Sequence, residues 1–430
     1  MLDAKLLKES PGTIEKMLNM RGVDFPLEDL VNLDKRRREL IVQLQNLKHE
    51  KNILADSIAK KKREAGIAAS ANREINEMKD TTKRITELEV EQDSVIEKYR
   101  HLMMSIPNLL HDSVPVGRSE KENVVIREHG EKKAKTTITP KDHIDIASSL
   151  DLIDLERAAK ISGSRFYFLK NDLVKMNQAL IQLGLDYLSK SGYTLVQPPY
   201  MIRKEAMEGA VILGDFEQVI YKLQDEDLYM IGTSEHAMVS MHMDEILDSS
   251  NLPLRYACVS PCFRKEAGAH GRDMKGIFRV HQFEKVEQVV FSRPEESWKE
   301  HEKMLDLTER LYENLGLPIR TILLCSADIG KISAKTYDIE AWFPGQNSYR
   351  EIVSCSNCID YQARRLGIRY RENVNEETKL VHTLNSTLIA TERTMVSIIE
   401  NYQTENGTIE VPEVLRKYMG DARDIKLFSK

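Results

Sequence analysis

The segments FRKE at residues 263–266 and IFRVHQFEKVE at residues 277–287 flank a loop rich in glycine and basic residues. Their aromatic and β-branched residues, with no crossover helix between them, predict two antiparallel strands joined as a hairpin. Alternate side chains of a strand share one face of the sheet. On this reasoning one face carries Arg264 and Glu266 from the first strand and Arg279, His281, Phe283, Lys285 and Glu287 from the second.

The predicted face of this hairpin combines guanidinium groups, carboxylates and one aromatic ring. A guanidinium suits a phosphate group because its planar donors match the oxygens two at a time. An aromatic ring opposite a carboxylate suits an adenine base, which can stack on the ring and donate from its amine to the carboxylate. The pattern therefore indicates a nucleotide site, with a solvated hairpin held by ordinary cross-strand ion pairs as the alternative.

Further strands and helices are predicted on both sides of the hairpin. The strands are expected at 193–197, 254–262, 278–291, 319–324, 337–343 and 350–354, and the helices at 173–189, 234–247, 298–315 and 391–402. Several of these strands follow one another without a crossover helix, so the sheet should be mainly antiparallel. The predicted fold class is therefore α+β, an antiparallel sheet flanked by helices.

The N-terminal region has a different pattern, because residues 27–106 contain almost no glycine or proline. Apolar residues recur there with heptad spacing, in a first series and in a second series separated by a predicted turn at 66–72. The first series is Leu33, Leu40, Leu47 and Leu54, and the second includes Ile85, Leu88, Val95 and Leu102. Two such helices joined by a short turn predict an antiparallel coiled-coil arm, which should end at Ile106 because Pro107 follows.

The tip of this arm is expected to be basic, with Lys60, Lys61, Lys62, Arg63 and Arg73 set against Glu64 alone. One interpretation is a surface that contacts nucleic-acid phosphates, whose affinity would depend on salt. The other is a solvated helix end. The net charge of -6 makes indiscriminate polyanion binding unfavourable, so any nucleic-acid contact should be local.

Three further features of the sequence bear on the expected compartment, on membrane partners and on zinc. The first residues lack the order of a secretory signal, and no apolar run is long enough to span a membrane. A cytoplasmic protein without membrane or DNA partners is therefore expected. The motif Cys355-Ser356-Asn357-Cys358 raises the possibility of zinc, but no second cysteine pair completes a four-ligand set, so no zinc is expected.

The hairpin resembles motif 2 of class II aminoacyl-tRNA synthetases, and nearly the whole chain is similar to the seryl-tRNA synthetase family. The resemblance implies a tRNA-binding domain at 1–112 and a catalytic domain at 113–430. Motif 1, the family's dimer interface, would lie near 192–202, motif 2 near 254–291 and motif 3 near 383–402. The implied reaction is serine activation by ATP to an adenylate, with release of pyrophosphate. Serine then passes to the 3′ end of tRNA(Ser), with tRNA(Sec) as a candidate second acceptor. A homodimer is implied as well.

The resemblance also implies roles for individual residues. The catalytic arginines would be Arg264, Arg279 and Arg393. ATP would contact Arg264, Glu266, Arg279, Phe283, Glu351, Ser354 and Arg393, with Glu351 and Ser354 also holding an ATP-bound Mg²⁺. Serine would contact Thr233, Glu235, Arg264, Glu287, Asn385 and Thr387. Thr233-Ser234-Glu235 has a second interpretation as a helix N-cap. Glu392 stands where this family often has glycine, and its side chain is expected to point away from the phosphates.

Three rival interpretations remain, of which a generic ATP-dependent acid ligase is excluded only by the detailed family resemblance. A coiled-coil interaction protein with a silenced synthetase-like body would have lost Arg264, Glu266, Arg279, Glu351 or Arg393, all of which are present. A ligase that loads amino acids onto a carrier protein would lack the arm and use zinc.

Overall fold

The computed structural model describes residues 1–65, 72–132, 139–266 and 276–427. The turn predicted at 66–72, except for Asn72, and most of the loop between the two hairpin segments lie outside these ranges. The described chain forms two compact units. One comprises residues 2–19 and 23–106, and the other comprises Met1, residues 20–22 and residues 107–430.

The first unit is helical. It contains α1 (Ala4–Glu9), most of α2 (Pro11–Arg21), α3 (Leu27–Ala65) and α4 (Asn72–Ser105). The predicted heptads are confirmed, because Leu40 and Leu44 of α3 pack with Ile85, Leu88 and Val95 of α4 in one buried cluster. Helix α4 ends just before Ile106-Pro107, as the proline predicts.

In the described part of the second unit there are ten further α-helices and seventeen strands. The helices are α5 (His143–Ser149), α6 (Leu155–Ser162), α7 (Asp172–Lys190), α8 (Lys204–Ala210), α9 (Leu213–Phe216), α10 (Ser234–Val239), α11 (Ser297–Asn314), α12 (Tyr361–Leu366), α13 (Thr391–Asn401) and α14 (Glu413–Arg416). The strands are β1 (Val124–His129), β2 (Ile153–Asp154), β3 (Phe168–Leu169), β4 (Thr194–Val196), β5 (Met201–Arg203), β6 (Leu228–Met230), β7 (Ile246–Asp248), β8 (Leu254–Phe263), β9 (Gln282–Ser292), β10 (Ile319–Leu323), β11 (Lys335–Phe343), β12 (Ser348–Asn357), β13 (Arg369–Arg371), β14 (Lys379–Leu380), β15 (His382–Ala390), β16 (Ile409–Glu410) and β17 (Asp424–Ile425).

The central sheet has eight strands in the order β1-β10-β11-β12-β15-β9-β8-β4. Every neighbouring pair is antiparallel except β4 and β8, which confirms the predicted α+β class. On one face of β9, Gln288 donates to the Thr308 hydroxyl of α11, and Val286 lies next to Gly184 of α7. Since side chains alternate, Lys285 and Glu287 point from the opposite face. That face carries the site.

Two predicted elements differ from the structure. The helix expected at 234–247 ends at Val239, because residues 246–248 instead form β7, which pairs in parallel with β13 more than a hundred residues later. The strand expected from Phe278 begins only at Gln282. Residues 278–281 are held by tertiary contacts instead, with Phe278 packed edge-on against Phe343 and His281 stacked on Phe166. Within the described ranges, no helix has both the length and the apolar content that crossing a membrane requires.

Candidate active site

Two connected cavities open on the exposed face of the central sheet. The larger, here called the outer cavity, has a volume of about 990 Å³, and the smaller, the inner pocket, has a volume of about 280 Å³. They share the lining residues Gly330, Ser333, Glu351, Ser354, Ser356 and Arg393. A ligand could therefore extend from one cavity into the other.

The inner pocket gathers residues from β9, β12, β15 and the start of α10, together with Arg264, which directly follows β8. All the residues expected to contact serine line it, namely Thr233, Glu235, Arg264, Glu287, Asn385 and Thr387. Thr387 and Asn385 reach the same face as Glu287 because Thr387 lies opposite Glu287 in the β15–β9 register and Asn385 lies opposite Val289. The sheet register thus places the pocket residues of β15 beside those of β9.

Glu287 is the most tightly held side chain in the inner pocket. Its Oε2 accepts hydrogen bonds from the hydroxyls of Thr233 (2.6 Å) and Ser234 (2.7 Å) and from the backbone N–H of Glu235 (3.1 Å). Its Oε1 accepts from the Lys285 ammonium at 2.8 Å. Burial tends to raise the pKa of Glu287, but the Lys285 charge and these hydrogen bonds together lower it to about 2. Glu287 is therefore a fixed negative charge.

Lys285 was given no role from the sequence, although its alternation with Glu287 on one strand was the available signal. Its Nζ also donates to the Thr387 hydroxyl at 3.3 Å. Lys285 thereby links the Glu287 carboxylate of β9 to the Thr387 hydroxyl of the neighbouring strand β15.

Glu235 differs electrostatically from Glu287. Its Oε1 accepts from the side-chain amides of Gln362 (2.9 Å) and Asn385 (3.0 Å). Burial, followed by the nearby Glu287 charge, raises the pKa of Glu235 to about 7. A cation entering the pocket would favour the ionised form. Thr233 is also the N-cap of α10, because its hydroxyl accepts from the Glu235 N–H, so the helix-cap interpretation is correct alongside the pocket position.

Arg264 is held at the mouth of the inner pocket. Its Nε donates to the Gly232 carbonyl at 3.0 Å, and its guanidinium lies 5.3 Å from the centre of the Phe283 ring. Its own carbonyl accepts from His281 Nδ1 at 2.7 Å. His281 lines neither cavity. Its place on the functional face was a wrong prediction, and the residue instead supports the Arg264 backbone.

The prediction that Glu266 and Arg279 lie on the same strand face as the pocket residues is also wrong. Strand β8 ends at Phe263 and Glu266 has a φ of 48°, while Arg279 precedes β9, so neither residue lies in a strand. Glu266 lines neither cavity, but its carboxylate lies 3.9 Å from the Arg279 guanidinium. Arg279 lines the outer cavity, away from the inner-pocket residue Phe283. The chain turns before and after the loop, which breaks the period of two.

The outer cavity contains the residues expected to bind a magnesium ion. Glu351 and Ser354 of β12 line it, and Arg393 of α13 lies 3.1 Å from a Glu351 carboxylate oxygen and donates to the Glu351 carbonyl at 3.0 Å. Phe278, which the sequence did not single out, lies under the guanidiniums of Arg350 (4.9 Å) and Arg393 (5.3 Å). Burial opposes ionisation of Glu351, but the Arg393 charge keeps its pKa below the ordinary value.

The donor set in this part of the cavity fits a magnesium ion. Glu351 and Ser354 supply hard oxygen ligands, which Mg²⁺ prefers. Asp338 of β11, which was also missed, lines the same cavity, and its buried Oδ1 has no hydrogen-bond partner in the described part of the chain. An unsatisfied carboxylate oxygen beside a second carboxylate is an environment that a cation stabilises.

Glu392 was expected to point away from the phosphates, and in the structure it lines the inner pocket but not the outer cavity. The side chain is 2 % exposed and lines the inner pocket, with Oε1 3.9 Å from Arg393 Nε. Burial raises the pKa of Glu392 to about 7. As the second residue of α13, Glu392 is carried into the pocket wall by the same turn that positions Arg393.

The basic tip of the arm is less positive than the sequence suggested. Lys61 forms an ion pair with Glu74, and Arg73 forms one with Glu77 at 2.9 Å, so Glu64 is not the only acidic neighbour. Lys60, Lys62 and Arg63 are exposed near the end of α3. Helix pairing brings Glu74 of α4 to Lys61 of α3, whereas Glu77 lies one helical turn after Arg73, at a spacing that the sequence itself shows.

The five cysteines are all buried and unpaired. Burial raises the pKa of the Cys355 thiol to about 12 and that of the Cys358 thiol further. In the described ranges, no group of three or more His, Cys, Asp or Glu side chains is arranged to hold a metal ion.

Two protein-family models match parts of the chain. Residues 1–110 match the seryl-tRNA synthetase N-terminal domain, and residues 219–402 match the tRNA synthetase class II core domain (G, H, P, S and T).

Related proteins match over the full length. The serine–tRNA ligase of Nitrosopumilus maritimus is 57% identical over 425 residues, which cover 99% of this chain and 100% of the relative. The crystal structure of seryl-tRNA synthetase from Pyrococcus horikoshii complexed with ATP superposes with a TM-score of 0.92 at 45% identity and covers 100% of both chains. The crystal structure of the cytoplasmic serine–tRNA ligase from Naegleria fowleri in complex with AMP superposes with a TM-score of 0.86 at 35% identity. The match covers 100% of this chain and 99% of the other.

Proposed function

The chain belongs to the seryl-tRNA synthetase family, and on that basis we propose that its inner pocket holds serine and its outer cavity holds the phosphates of ATP. It is an aminoacyl-tRNA ligase that uses ATP to join serine to tRNA. The observation that carries the site assignment is the convergence of Thr233, Glu235, Arg264, Glu287, Asn385 and Thr387 on one small polar pocket. The ATP complex of the Pyrococcus horikoshii relative supports the nucleotide assignment.

Serine is small, so its selection depends on polar contacts. Glu235 would face the ammonium group. Glu287 Oε1 accepts one hydrogen bond, from Lys285. A carboxylate oxygen accommodates about two donors, so Oε1 has room for the serine hydroxyl. Thr387 accepts from Lys285, which leaves its own proton to donate to that hydroxyl. Alanine would leave these groups unpaired and is rejected, whereas threonine must be refused sterically.

The first step needs positioning and charge stabilisation rather than a side-chain nucleophile. Arg264 would hold the serine carboxylate against the α-phosphate. The carboxylate oxygen then attacks phosphorus in line, and the bond to the departing pyrophosphate breaks. Arg279 and Arg393 would bind the outer phosphates, while Phe283 and Glu266 would hold the adenine. For Phe283 to stack on the base, Arg264 must move from its present place over the ring.

In the second step the terminal ribose hydroxyl of the tRNA attacks the carbonyl carbon of the adenylate. An ester forms and AMP leaves. Because the carbonyl oxygen lies next to the atoms that Arg264 holds, the same guanidinium can stabilise the charge that develops there.

A magnesium ion would be held by Glu351 and Ser354. When bound, it neutralises phosphate charge and helps orient the triphosphate. The pairing of Glu351 with Arg393 places the carboxylate and the guanidinium on the same stretch of cavity wall, so both can face one triphosphate.

The N-terminal region, residues 1–112, is proposed as the tRNA-binding domain and residues 113–430 as the catalytic domain. The exposed side chains of Lys60, Lys62 and Arg63 would meet backbone phosphates of the tRNA. Such contacts recognise the shape of A-form RNA, whose narrow groove hides its base edges. tRNA(Ser) is the expected acceptor, and the cytoplasm, where tRNA is charged for translation, is the expected compartment.

A homodimer through motif 1 is supported by an exposed apolar surface. Strand β4 is the last strand of the central sheet, and Leu195 on it is 48% exposed. Met201 and Met241 are similarly exposed. Beside them lies an apolar cavity of about 420 Å³ lined by Val196, Pro198, Pro199, Ile202 and Met238 among others. A second copy of the chain would cover this surface.

The experiment that tests the proposed function is ATP–pyrophosphate exchange measured with each of the twenty amino acids. Exchange should depend on serine, and alanine and threonine should be activated at least about a hundredfold less well. Exchange with another amino acid, or none with serine, would contradict the pocket assignment. The rival scaffold function predicts no exchange, and it is not favoured because Arg264, Arg279 and Arg393 all line the cavities.

A further inference from the structure

We propose that Asp338 is a third protein ligand for the cation held by Glu351 and Ser354. This inference rests on the proposed magnesium site and extends it from one strand to two. The residue lies on β11, whereas Glu351 and Ser354 lie on β12, so no local pattern connected it with the other two.

The sheet register brings Asp338 to the site. Asp338 lies directly opposite Ser354 in the antiparallel pairing of β11 with β12. Directly opposed residues point to the same face and have β-carbons about 5 Å apart. Both residues line the outer cavity, and the Ser354 hydroxyl hydrogen-bonds to the Asp338 carboxylate. The hydroxyl and the carboxylate are therefore close enough to share one ion.

The bonding of Asp338 is incomplete without a cation. Its Oδ1 is buried and has no hydrogen-bond partner among the described residues. The adjacent carboxylates are better satisfied, since Glu351 pairs with Arg393 at 3.1 Å and Glu340 pairs with Arg320. A buried carboxylate oxygen without a partner is costly, and a divalent cation offsets that cost.

The resulting donor set has the composition that magnesium requires. The ion takes six oxygens at near-octahedral geometry, commonly one or two carboxylates together with phosphate oxygens and waters. Asp338, Glu351 and Ser354 would supply about half of this set, which leaves the rest to ATP and water. Asp338 would thus act on ATP through the ion, and its loss should weaken ion binding more than serine binding.

The test uses manganese as a spectroscopic probe. Mn²⁺ binding to the full chain in the presence of a non-hydrolysable ATP analogue is measured by electron paramagnetic resonance for wild type and Asp338→Asn. We expect Mn²⁺ affinity to fall about tenfold or more. The matched control is Glu340→Gln, which removes the same charge from the same cavity at a residue already paired with Arg320. Unchanged affinity in Asp338→Asn, or an equal loss in both variants, would overturn the proposal.

A second measurement guards against a folding defect. In EDTA, Asp338→Asn should unfold at a temperature equal to or above wild type, because the unpaired charge beside Glu351 is gone. Asp338→Ala should give the same loss of Mn²⁺ affinity.

The variant Glu351→Gln distinguishes a failure of the proposed magnesium site from a failure of Asp338 as its ligand. If Glu351→Gln also binds Mn²⁺ normally, the proposed magnesium site itself is wrong. If only the Asp338 variants bind normally, the site stands and Asp338 is not its ligand.

Discussion

The Lys285 ammonium lies 2.8 Å from Oε1 of Glu287, and both side chains are almost fully buried, at 6% and 2% exposure. The pair joins neighbouring positions on one face of β9 and reaches Thr387 on β15. Burying two charges is costly unless they are paired and hydrogen-bonded. Here the pairing leaves one carboxylate oxygen, Oε1, able to accept from a small polar ligand, so a structural ion pair also forms the wall of the proposed serine pocket.

Replacing Glu287 with alanine should reduce serine-dependent pyrophosphate exchange by about a hundredfold, because hydrogen bonds to a charged group contribute about 1.5–3 kcal/mol. The same change leaves Lys285 buried without its partner, so thermal unfolding should be measured alongside exchange. The matched control is Glu300→Ala, which breaks the buried pair with Arg255 outside the pocket. If Glu287→Ala exchanges near-normally while remaining folded, Glu287 does not contact serine.

Serine binding should depend on pH through Glu235. Its pKa of about 7 means that the carboxyl is neutral in acid, so the KM for serine should rise as pH falls through 7, because a neutral carboxyl attracts an ammonium less strongly. Glu235→Gln should bind serine weakly and show a flat profile there.

The control for this prediction is Glu392→Gln, since Glu392 lines the same pocket and also has a pKa near 7. If the pH profile of the serine KM is flat in Glu392→Gln but not in Glu235→Gln, the titrating group is Glu392. The contribution of Glu235 to folding stability changes with pH in the opposite direction to serine binding. The folded-state pKa of Glu235 is raised above the ordinary 4.5, so its contribution to stability is present at pH 4 and is lost as pH rises through 7.

Removing residues 40–100 and closing the gap with a short glycine-serine linker should spare adenylate formation and abolish tRNA charging. The deletion removes paired segments of α3 and α4 together, and the residues of both cavities lie outside it. Exchange and aminoacylation are measured on the same preparation. Full charging by the shortened chain would show that the arm does not bind the tRNA.

A milder variant of the arm tests its basic tip. Lys62→Glu with Arg63→Glu should weaken charging and reduce its salt dependence, because two phosphate contacts are lost. The control is Lys48→Glu with Glu89→Lys, which reverses an ion pair between the two arm helices without changing net charge. An equal effect in both variants would indicate a disturbed coiled coil rather than lost phosphate contacts.

Zinc should not be needed for activity. The buried thiols have raised pKa values, which disfavours the thiolate form that binds zinc. Protein treated with a chelator and returned to Mg²⁺ alone should recover full exchange, and metal analysis should find well under one zinc per chain. Stoichiometric zinc whose removal abolishes exchange would contradict this expectation.

The dimer prediction is tested by replacing Leu195 and Met241 with aspartate. If this surface is covered by a second copy, the charges should shift the chain from dimer to monomer in sedimentation experiments. The control is Ile161→Asp, which alters another exposed apolar side chain of the same unit. A wild-type monomer, or a dimer insensitive to both changes, would contradict an interface at motif 1.

Features encoded by local periodicity were predictable. The heptad spacing of Leu40, Ile85 and Leu88 identified the coiled coil, and the period of two placed Phe283, Lys285 and Glu287 on one face of β9. The family resemblance supplied Thr233 and Glu235 together with Asn385, which lies 150 residues beyond Glu235 in the sequence but donates a hydrogen bond to it.

Other features depend on contacts between distant residues. Arg279 and His281 lie off the predicted face because β9 begins only at Gln282, and residues 246–248 pair with β13 instead of continuing the helix that begins at Ser234. Asp338 meets Ser354 only through the β11–β12 register. Periodicity depends on neighbouring residues and can be detected in the sequence alone. The contacts between distant residues instead require strands to pair across long loops. The register of those strands is set by the packing of the whole sheet.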